Sequence, residues 1–454
     1  MRALLINPWI YDFAAYDLWL KPAGLLRVGA ALRRWGWEVD FIDCLDRFHP
    51  RLSEFGQDRV PRRDRFGCGK YPKVPVEKPA PIKDIDRRYF RYGLPLELFH
   101  QQIRSVPKPD LILVGSTMTY WYPGCFLALR LARDYFPRTP SLLGGIYPRL
   151  CPGHAHASHT ATAIHAGGGL SQLARILGKL GFPPSSSPGP DLLPPAYDLL
   201  NDRSALAVQT SRGCPFSCSY CAAPLLEPVI SQQEPEAIVG KIGEYVRQFG
   251  TTDIAFYDNA LLFNAPKHIN RILSLLIKRN IACRFHTPNG LHARLLDEET
   301  ANLLKESGFI GPRLSLESSE PERQKKTGGK VENKDLIRAL ELLERAGFKR
   351  SEITIYLMMG LPEQKPSEVE RDINFVHSLG ATINLAAYSP IPGTKDYSQL
   401  LHEGVIEEDM DPLWQNNTIF CLRQKIFSLD IIRDLRNQAA KLNHTVGLNP
   451  AGVG

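Results

Sequence analysis

The chain has 454 residues, 43% hydrophobic and 23% charged, with nine cysteines and a net charge of +7. These figures fit two or three globular domains and exclude a disordered or fibrous protein. No apolar run reaches the roughly 18 residues of a membrane-spanning helix, and the N-terminus lacks the layout of a secretion signal. An odd cysteine count without a disulfide framework points to reduced, metal-ligating thiols, so a cytoplasmic protein is expected. In chain order, residues 3–8 (ALLINP) form an apolar run, 24–36 have helical spacing and 38–43 alternate like a strand. A basic, Pro-rich insertion over about 46–100 follows. Between Arg59 and Tyr92 it carries eleven Lys and Arg against four acids, an excess equal to the net charge of the whole chain. It reads as a solvated surface segment, with an anionic substrate or partner as the sharper alternative. The alternation resumes with LILVGS (111–116), a helix near 124–136, SLLGG (141–145), a weak strand around 161–165 and a helix around 169–180.

The fold expected from this pattern is α/β, with a doubly wound parallel-sheet domain over residues 1–180. Residues 181–204, rich in Pro and Ser, read as a linker. A second β-α series then places six strands at 206–210, 253–257, 283–287, 312–317, 352–358 and 382–388, which predicts an incomplete parallel β/α barrel over 205–395. Such a barrel carries its site at the C-terminal strand ends. Residues 396–454 read as a small helical extension containing Cys421.

Cys214, Cys218 and Cys221 form a C-x-x-x-C-x-x-C array on the loop after the first of these strands. A [4Fe–4S] cube with four protein ligands is closed, whereas three cysteines leave one iron open to a cofactor or substrate. Structural zinc takes four ligands, and no fourth Cys or His lies nearby in sequence. Two other groups invite chemistry. Cys151, His154, His156 and His159 crowd into CPGHAHASH, where a metal competes with a solvated loop. Cys68 lies between glycines near Lys70, where an exposed thiolate competes with an ordinary loop cysteine.

The segment RGCPFSCSYC (212–221) resembles the signature of the radical S-adenosylmethionine superfamily, Tyr220 being the aromatic before the last cysteine. The resemblance covers most of residues 205–395. It implies a [4Fe–4S] cluster on the three cysteines, S-adenosylmethionine on the open iron, and reductive cleavage to a 5′-deoxyadenosyl radical that abstracts hydrogen. It nominates Asp258 and Asn259 in FYDNALLFN (256–264) for the methionyl amino group, although the family's frequent Gly-Gly-Glu is absent. Ser315 and Glu317 in RLSLESS (313–319) fall where the family reaches ribose and carboxylate, and Met358 in YLMMGLPEQ (356–364) where backbone meets adenine. Surface charge is the competing reading for Asp258 and Glu317, and core packing for Met358.

Residues 1–180 resemble the cobalamin-binding-type domain that precedes the barrel in one branch of the superfamily, through LLINP (4–8), KPAGLLRVGAAL (21–32), VGSTMT (114–119) and LLGGIYP (142–148). The resemblance nominates Gly115, Ser116, Thr117, Gly144 and Gly145 as cobalamin contacts, against the plainer reading of βα turns. No D-x-H-x-x-G sequence occurs to supply a histidine below cobalt. The implied function is hydrogen abstraction, methyl transfer or rearrangement on a small-molecule or anionic substrate, with a one-electron donor such as flavodoxin or ferredoxin. No membrane or nucleic-acid partner is expected. The alternatives are a methylthiotransferase-like enzyme with a second cluster, whose cysteine spacing Cys44, Cys68, Cys125 and Cys151 do not match, and a non-catalytic iron–sulfur sensor. The sequence names no substrate, catalytic acid or base, or oligomeric state.

Overall fold

In the computed structural model, alternate residues of the first strand feed two different cores: Leu4 and Ile6 enter one, Ala3 and Leu5 the other. A strand apolar on both faces belongs inside a sheet covered on both sides. The structure describes residues 1–55, 65–187, 189 and 193–446. It divides into two units, Met1–Arg203 with Met410–Asn416, and Ser204–Asp409 with Asn417–Gly454.

The first unit contains strands β1 (Arg2–Asn7), β2 (Ile10–Asp12), β3 (Glu38–Asp43), β4 (Lys73–Val76), β5 (Tyr89–Tyr92), β6 (Leu111–Val114), β7 (Ser141–Leu143) and β8 (Ala163–Ile164). Five of them form one parallel sheet in the order β3-β1-β6-β7-β8. Helix Leu96–Ser105 contributes Phe99 and Ile103 to one face, and helix Gly169–Lys179 contributes Leu173 and Leu177 to the other. This is the expected doubly wound sheet, and its strand order reverses between β1 and β6, the point at which such sheets bind ligands.

The insertion differs from its sequence reading. β2, β5 and β4 pair as an antiparallel sheet, and Tyr71, Ile82, Tyr89 and Tyr92 are buried. A solvated segment was expected because the prolines and lysines dominate its composition. β5 pairs on one side with β2, however, which lies far upstream, and the exposed Lys73 still holds its ammonium 4.0 Å from the centre of the Phe90 ring. Cys68 is likewise buried, not exposed. Residues 56–64 of the basic run lie outside the described residues. The linker also departs from expectation at its C-terminal end, where the Ala196 N–H donates to the Leu26 carbonyl and Tyr197 is buried. Apolar side chains in a Pro-rich stretch can dock on an existing helix without forming an element of their own. Residues 410–416, read from sequence within the C-terminal extension, belong to the first unit. There Asn416 donates to Asp12, Gln415 meets the Cys151 sulfur and Asp411 accepts from Tyr122.

The second unit contains β9 (Ala205–Val208), β10 (Ser211–Arg212), β11 (Ser231–Gln232), β12 (Asp253–Phe256), β13 (Arg284–His286), β14 (Arg313–Glu317), β15 (Thr354–Met359) and β16 (Thr382–Ala387). Two parallel three-stranded sheets, β13-β12-β9 and β14-β15-β16, are linked by parallel bridges between Phe285 and Phe309 and between Leu291 and Leu314. The six expected units therefore form one curved, open wall. Helix Leu429–Val446 covers its β16 edge, where the Asn443 side chain accepts from the Ile383 N–H at 2.7 Å and donates to the Ile383 carbonyl at 2.8 Å.

Between β12 and β13, Asp253 is buried. Burial opposes its charge, yet hydrogen bonding with His286, Arg284 and Thr252 outweighs this and holds its pKa at about 2. The folded value lies below the unfolded one, so the stabilisation is present above about pH 4 and is lost as pH falls through the folded pKa. Asp253→Asn should flatten the acid limb of stability in that window and cost about 1–3 kcal/mol at neutral pH. Denaturant melts at a series of pH values read both effects.

Candidate cluster and cofactor site

The loop that carries the three cysteines is anchored before it begins. Thr210 and Ser211, leaving β9, donate their backbone N–H groups to the buried Asp258 carboxylate at 3.0 and 2.6 Å, and both hydroxyls donate to it as well. Burial pushes the Asp258 pKa up, and these hydrogen bonds oppose the shift. The short pairing of β10 with β11 then turns the chain. Gly213 follows at φ 77°, where a Cβ would come within 2.9 Å of the Val229 carbonyl oxygen, so the turn needs glycine.

Several contacts fix the cysteine loop itself. The Cys221 N–H donates to the Cys218 carbonyl at 3.1 Å, and the Ser219 N–H donates to Thr327 at 3.2 Å. Gly328 passes so close that a Cβ would lie 3.2 Å from Cys218 Cα. One sulfur receives a backbone donor, the Ala223 N–H onto Cys221 Sγ at 3.4 Å. Burial pushes all three thiols up, and Lys330 pulls each of them back down.

Lys330 is the residue that sequence reasoning missed. Its ammonium pairs with Glu317, their side chains being 13% and 10% exposed, so the pair is almost dry. Burial opposes the Lys330 charge, but Glu317 and the Cys218 and Cys221 thiols outweigh it and raise the pKa. Tyr220 donates its hydroxyl to Glu317 at 2.9 Å. Glu317 itself sits at φ 69°, just beyond a register shift in β14, a strained backbone for a residue that is not glycine. A signal for Lys330 existed in the sequence, since TGGK follows a short helix with two glycines that permit close approach.

The structure thus brings Tyr220 and Glu317 to the three cysteines and engages the other nominated residues in separate contacts. Asp258 tethers the loop base. Gly290 lies against Ser315, where a Cβ would come 2.1 Å from its hydroxyl. Asn259 is half-buried. The Met358 carbonyl accepts from the buried Gln364 amide at 3.1 Å, and the Gln364 side-chain oxygen accepts from the Gly360 N–H at 2.8 Å. Asp258→Ala should leave two N–H groups and two hydroxyls without their acceptor. A loss of about 2–4 kcal/mol is expected, with reduced iron uptake on anaerobic reconstitution as the accompanying readout.

Among the described residues no group of three or more His, Cys, Asp or Glu is set to hold a single metal ion. A cube puts each thiolate on a different iron, so its donors stand farther apart than those around one ion. Three soft thiols, an N–H donor aimed at one of them and a nearly buried ammonium to offset their charge suit a cluster of that kind. His154 meets Tyr147 at 2.6 Å, whereas His156 and His159 are exposed, so the histidines of CPGHAHASH do not converge. Cys44, Cys68, Cys125 and Cys151 are each buried and in no disulfide.

In the first unit, the nominated small residues serve the chain's own packing. Gly115 lies against Leu25, and a Cβ on Gly145 would strike Ser116, whose hydroxyl donates to the Gly144 carbonyl at 2.8 Å. Thr117 is half-buried, and Gly144 makes only ordinary contact, with His165. These contacts account for Gly145 and Ser116 without a bound macrocycle.

The Radical SAM superfamily signature matches residues 208–376. Over 212 residues the chain is 26% identical to an uncharacterized methyltransferase of Pyrococcus horikoshii, covering 44% of each protein. Over 215 residues it is 23% identical to a probable threonylcarbamoyladenosine tRNA methylthiotransferase of the same organism, covering 42% of this chain and 49% of that protein. The chain spans about half the length of the curated relatives it matches. Among solved structures it is similar to the radical S-adenosylmethionine methyltransferase TsrM from Kitasatospora setae with tryptophan and a cofactor analogue bound. The TM-score is 0.62 at 16% identity, over 88% of this chain and 76% of that one. It is also similar to the cobalamin-dependent radical enzyme OxsB with aqua-cobalamin and S-adenosylmethionine bound, at TM-score 0.57 and 15% identity, over 97% of this chain and 56% of that one. At such identities the likeness is one of fold. Residues 208–376 thus match the Radical SAM superfamily, and the fold of the chain is similar to those of TsrM and OxsB.

Proposed function

We propose that the second unit binds a [4Fe–4S] cluster through Cys214, Cys218 and Cys221 and cleaves S-adenosylmethionine reductively, starting hydrogen abstraction, methyl transfer or rearrangement on a small or anionic substrate. The observation that carries this reading is the nearly dry chain Tyr220–Glu317–Lys330, which lies against the cysteine loop at the C-terminal end of β14. When bound, the cluster supplies the electron that breaks the sulfonium C–S bond. Glu317 offers acceptors for ribose hydroxyls, and Lys330 a cation for the methionyl carboxylate. Tyr220, donating to Glu317, fixes the orientation of that carboxylate. Glu317 is buried and Tyr220 and Lys330 are largely covered, which restricts water at the place where a reactive radical would form.

A one-electron donor of the flavodoxin or ferredoxin kind and a reducing cytoplasmic setting complete the proposal. No helix among the described residues is long and apolar enough to cross a membrane. We further propose that cobalamin binds the first unit at the strand ends near β1 and β6, a reading supported by the fold shared with TsrM and OxsB. The test is anaerobic reconstitution, reduction, and quantitation of 5′-deoxyadenosine and of cobalt per chain. Multiple turnovers to 5′-deoxyadenosine with near-stoichiometric cobalt are expected. A reduced, four-iron protein that releases none of this product would overturn the catalytic reading, and absence of cobalt uptake would remove cobalamin from it.

A further inference from the structure

Glu317 is the middle residue of a one-residue turn at the end of β14: the Ser318 N–H donates back across it to the Leu316 carbonyl at 2.9 Å. Such a turn, with its centre in the left-handed region, is strained for a residue other than glycine and persists only where the surroundings fix it. The two residues that follow, Ser318 and Ser319, are held from both sides. On one side stands Asp372, 1% exposed in helix Pro366–Ser378. Its Oδ1 accepts from the Ser319 N–H at 2.6 Å, from the Ser319 hydroxyl at 2.6 Å and from the Ser318 hydroxyl at 3.2 Å.

On the other side stand Gln324 and Asn333. The buried Gln324 amide donates to the Ser318 carbonyl and to Asn333 Oδ1, each at 2.8 Å, and the Asn333 amide donates to the Ser319 carbonyl at 2.8 Å. Gln324 also reaches the other half of the ion pair, because its backbone carbonyl accepts from the Gly329 N–H at 2.8 Å, one residue before Lys330. Asp372 contributes an acceptor here rather than a charge. Its three bonds all fall on Oδ1, Oδ2 is buried without a partner, and burial pushes the carboxyl pKa up.

We propose that Asp372 is a positioning residue for S-adenosylmethionine: by holding the Ser318–Ser319 backbone it keeps Glu317 in its left-handed turn, with the carboxylate presented to the cofactor. Without Asp372 the strained turn relaxes, and only the minority of molecules still turned bind the cofactor well. The inference rests on Glu317 being a cofactor contact.

The experiment measures equilibrium binding of S-adenosylmethionine to the full-length protein and its variants, each reconstituted anaerobically and left oxidised so that no cleavage occurs. Asp372→Ala should bind about tenfold more weakly at unchanged iron content, the worth of releasing one strained residue. Asp372→Asn keeps an oxygen for the two serines and should bind like the parent. In a Glu317→Ala background, Asp372→Ala should weaken binding no further, since no carboxylate remains to be placed. Gln324→Ala frees the same turn from its other side; it should also bind more weakly, and it decides the matter if Asp372→Ala loses its iron. Three results overturn the inference: parental affinity at full iron content in either alanine variant, a repeated tenfold loss in the Glu317→Ala background, or an Asp372→Asn protein as weak as Asp372→Ala, which would assign the effect to the charge. Parental affinity in Glu317→Ala alone would instead overturn the reading of Glu317 as a cofactor contact.

Discussion

Cys218→Ala is expected to abolish cluster assembly, with iron falling from about four per chain to background and 5′-deoxyadenosine formation disappearing with it. Two thiolates cannot hold a cube against solvent and reductant. The fold should survive, because Cys218 is only partly buried and lies in the loop, away from the apolar cores. A change within about 0.5 kcal/mol is typical for such a position. The relevant comparison is iron content against the denaturation midpoint. Full iron with full activity would contradict the ligand assignment, and unfolding would show that the loop has a structural duty the geometry does not suggest.

Lys330→Met should show the second largest effect, and on both stability and cofactor binding. Removing one partner from a dry ion pair leaves the other charge uncompensated, at a cost of about 3–5 kcal/mol. Here the stranded group is Glu317, with Tyr220 still donating to it and two cluster thiols close by. The thiols also lose the cation that favours their ionised form. Affinity for S-adenosylmethionine should fall by about 100-fold, since a charge-assisted contact to its carboxylate would be lost together with the orientation of Glu317. The double variant Lys330→Met/Glu317→Gln separates the two effects. It should recover most of the stability, because no buried charge remains, while cofactor affinity stays low. A loss in the double variant equal to the sum of those in Lys330→Met and Glu317→Gln would show that the two side chains act independently.

What the sequence disclosed and what it hid follow from how far apart the interacting groups lie along the chain. The RALLIN strand and the cysteine array are local patterns, and each could be read from a few consecutive residues. Glu317 was nominated from its neighbours, yet its left-handed backbone and its lysine could not be, because both depend on how β14 ends against the segment that follows. Asp258 shows the converse. It was nominated for the methionyl amino group, whereas its carboxylate accepts from Thr210 and Ser211, partners set by the pairing of β9 with β12. The antiparallel sheet in the insertion was concealed for the same reason, since Pro75 and the flanking lysines dominate the local composition while β2 lies far upstream.

All of this turns on the identity of the metal that the cysteine loop retains. Mössbauer spectroscopy of protein purified without oxygen and loaded with iron-57 addresses it directly. A spectrum dominated by one diamagnetic four-iron cluster per chain, with one site perturbed when S-adenosylmethionine is added, is the predicted result. Thiols occupied by zinc, or a cluster indifferent to the cofactor, would contradict it.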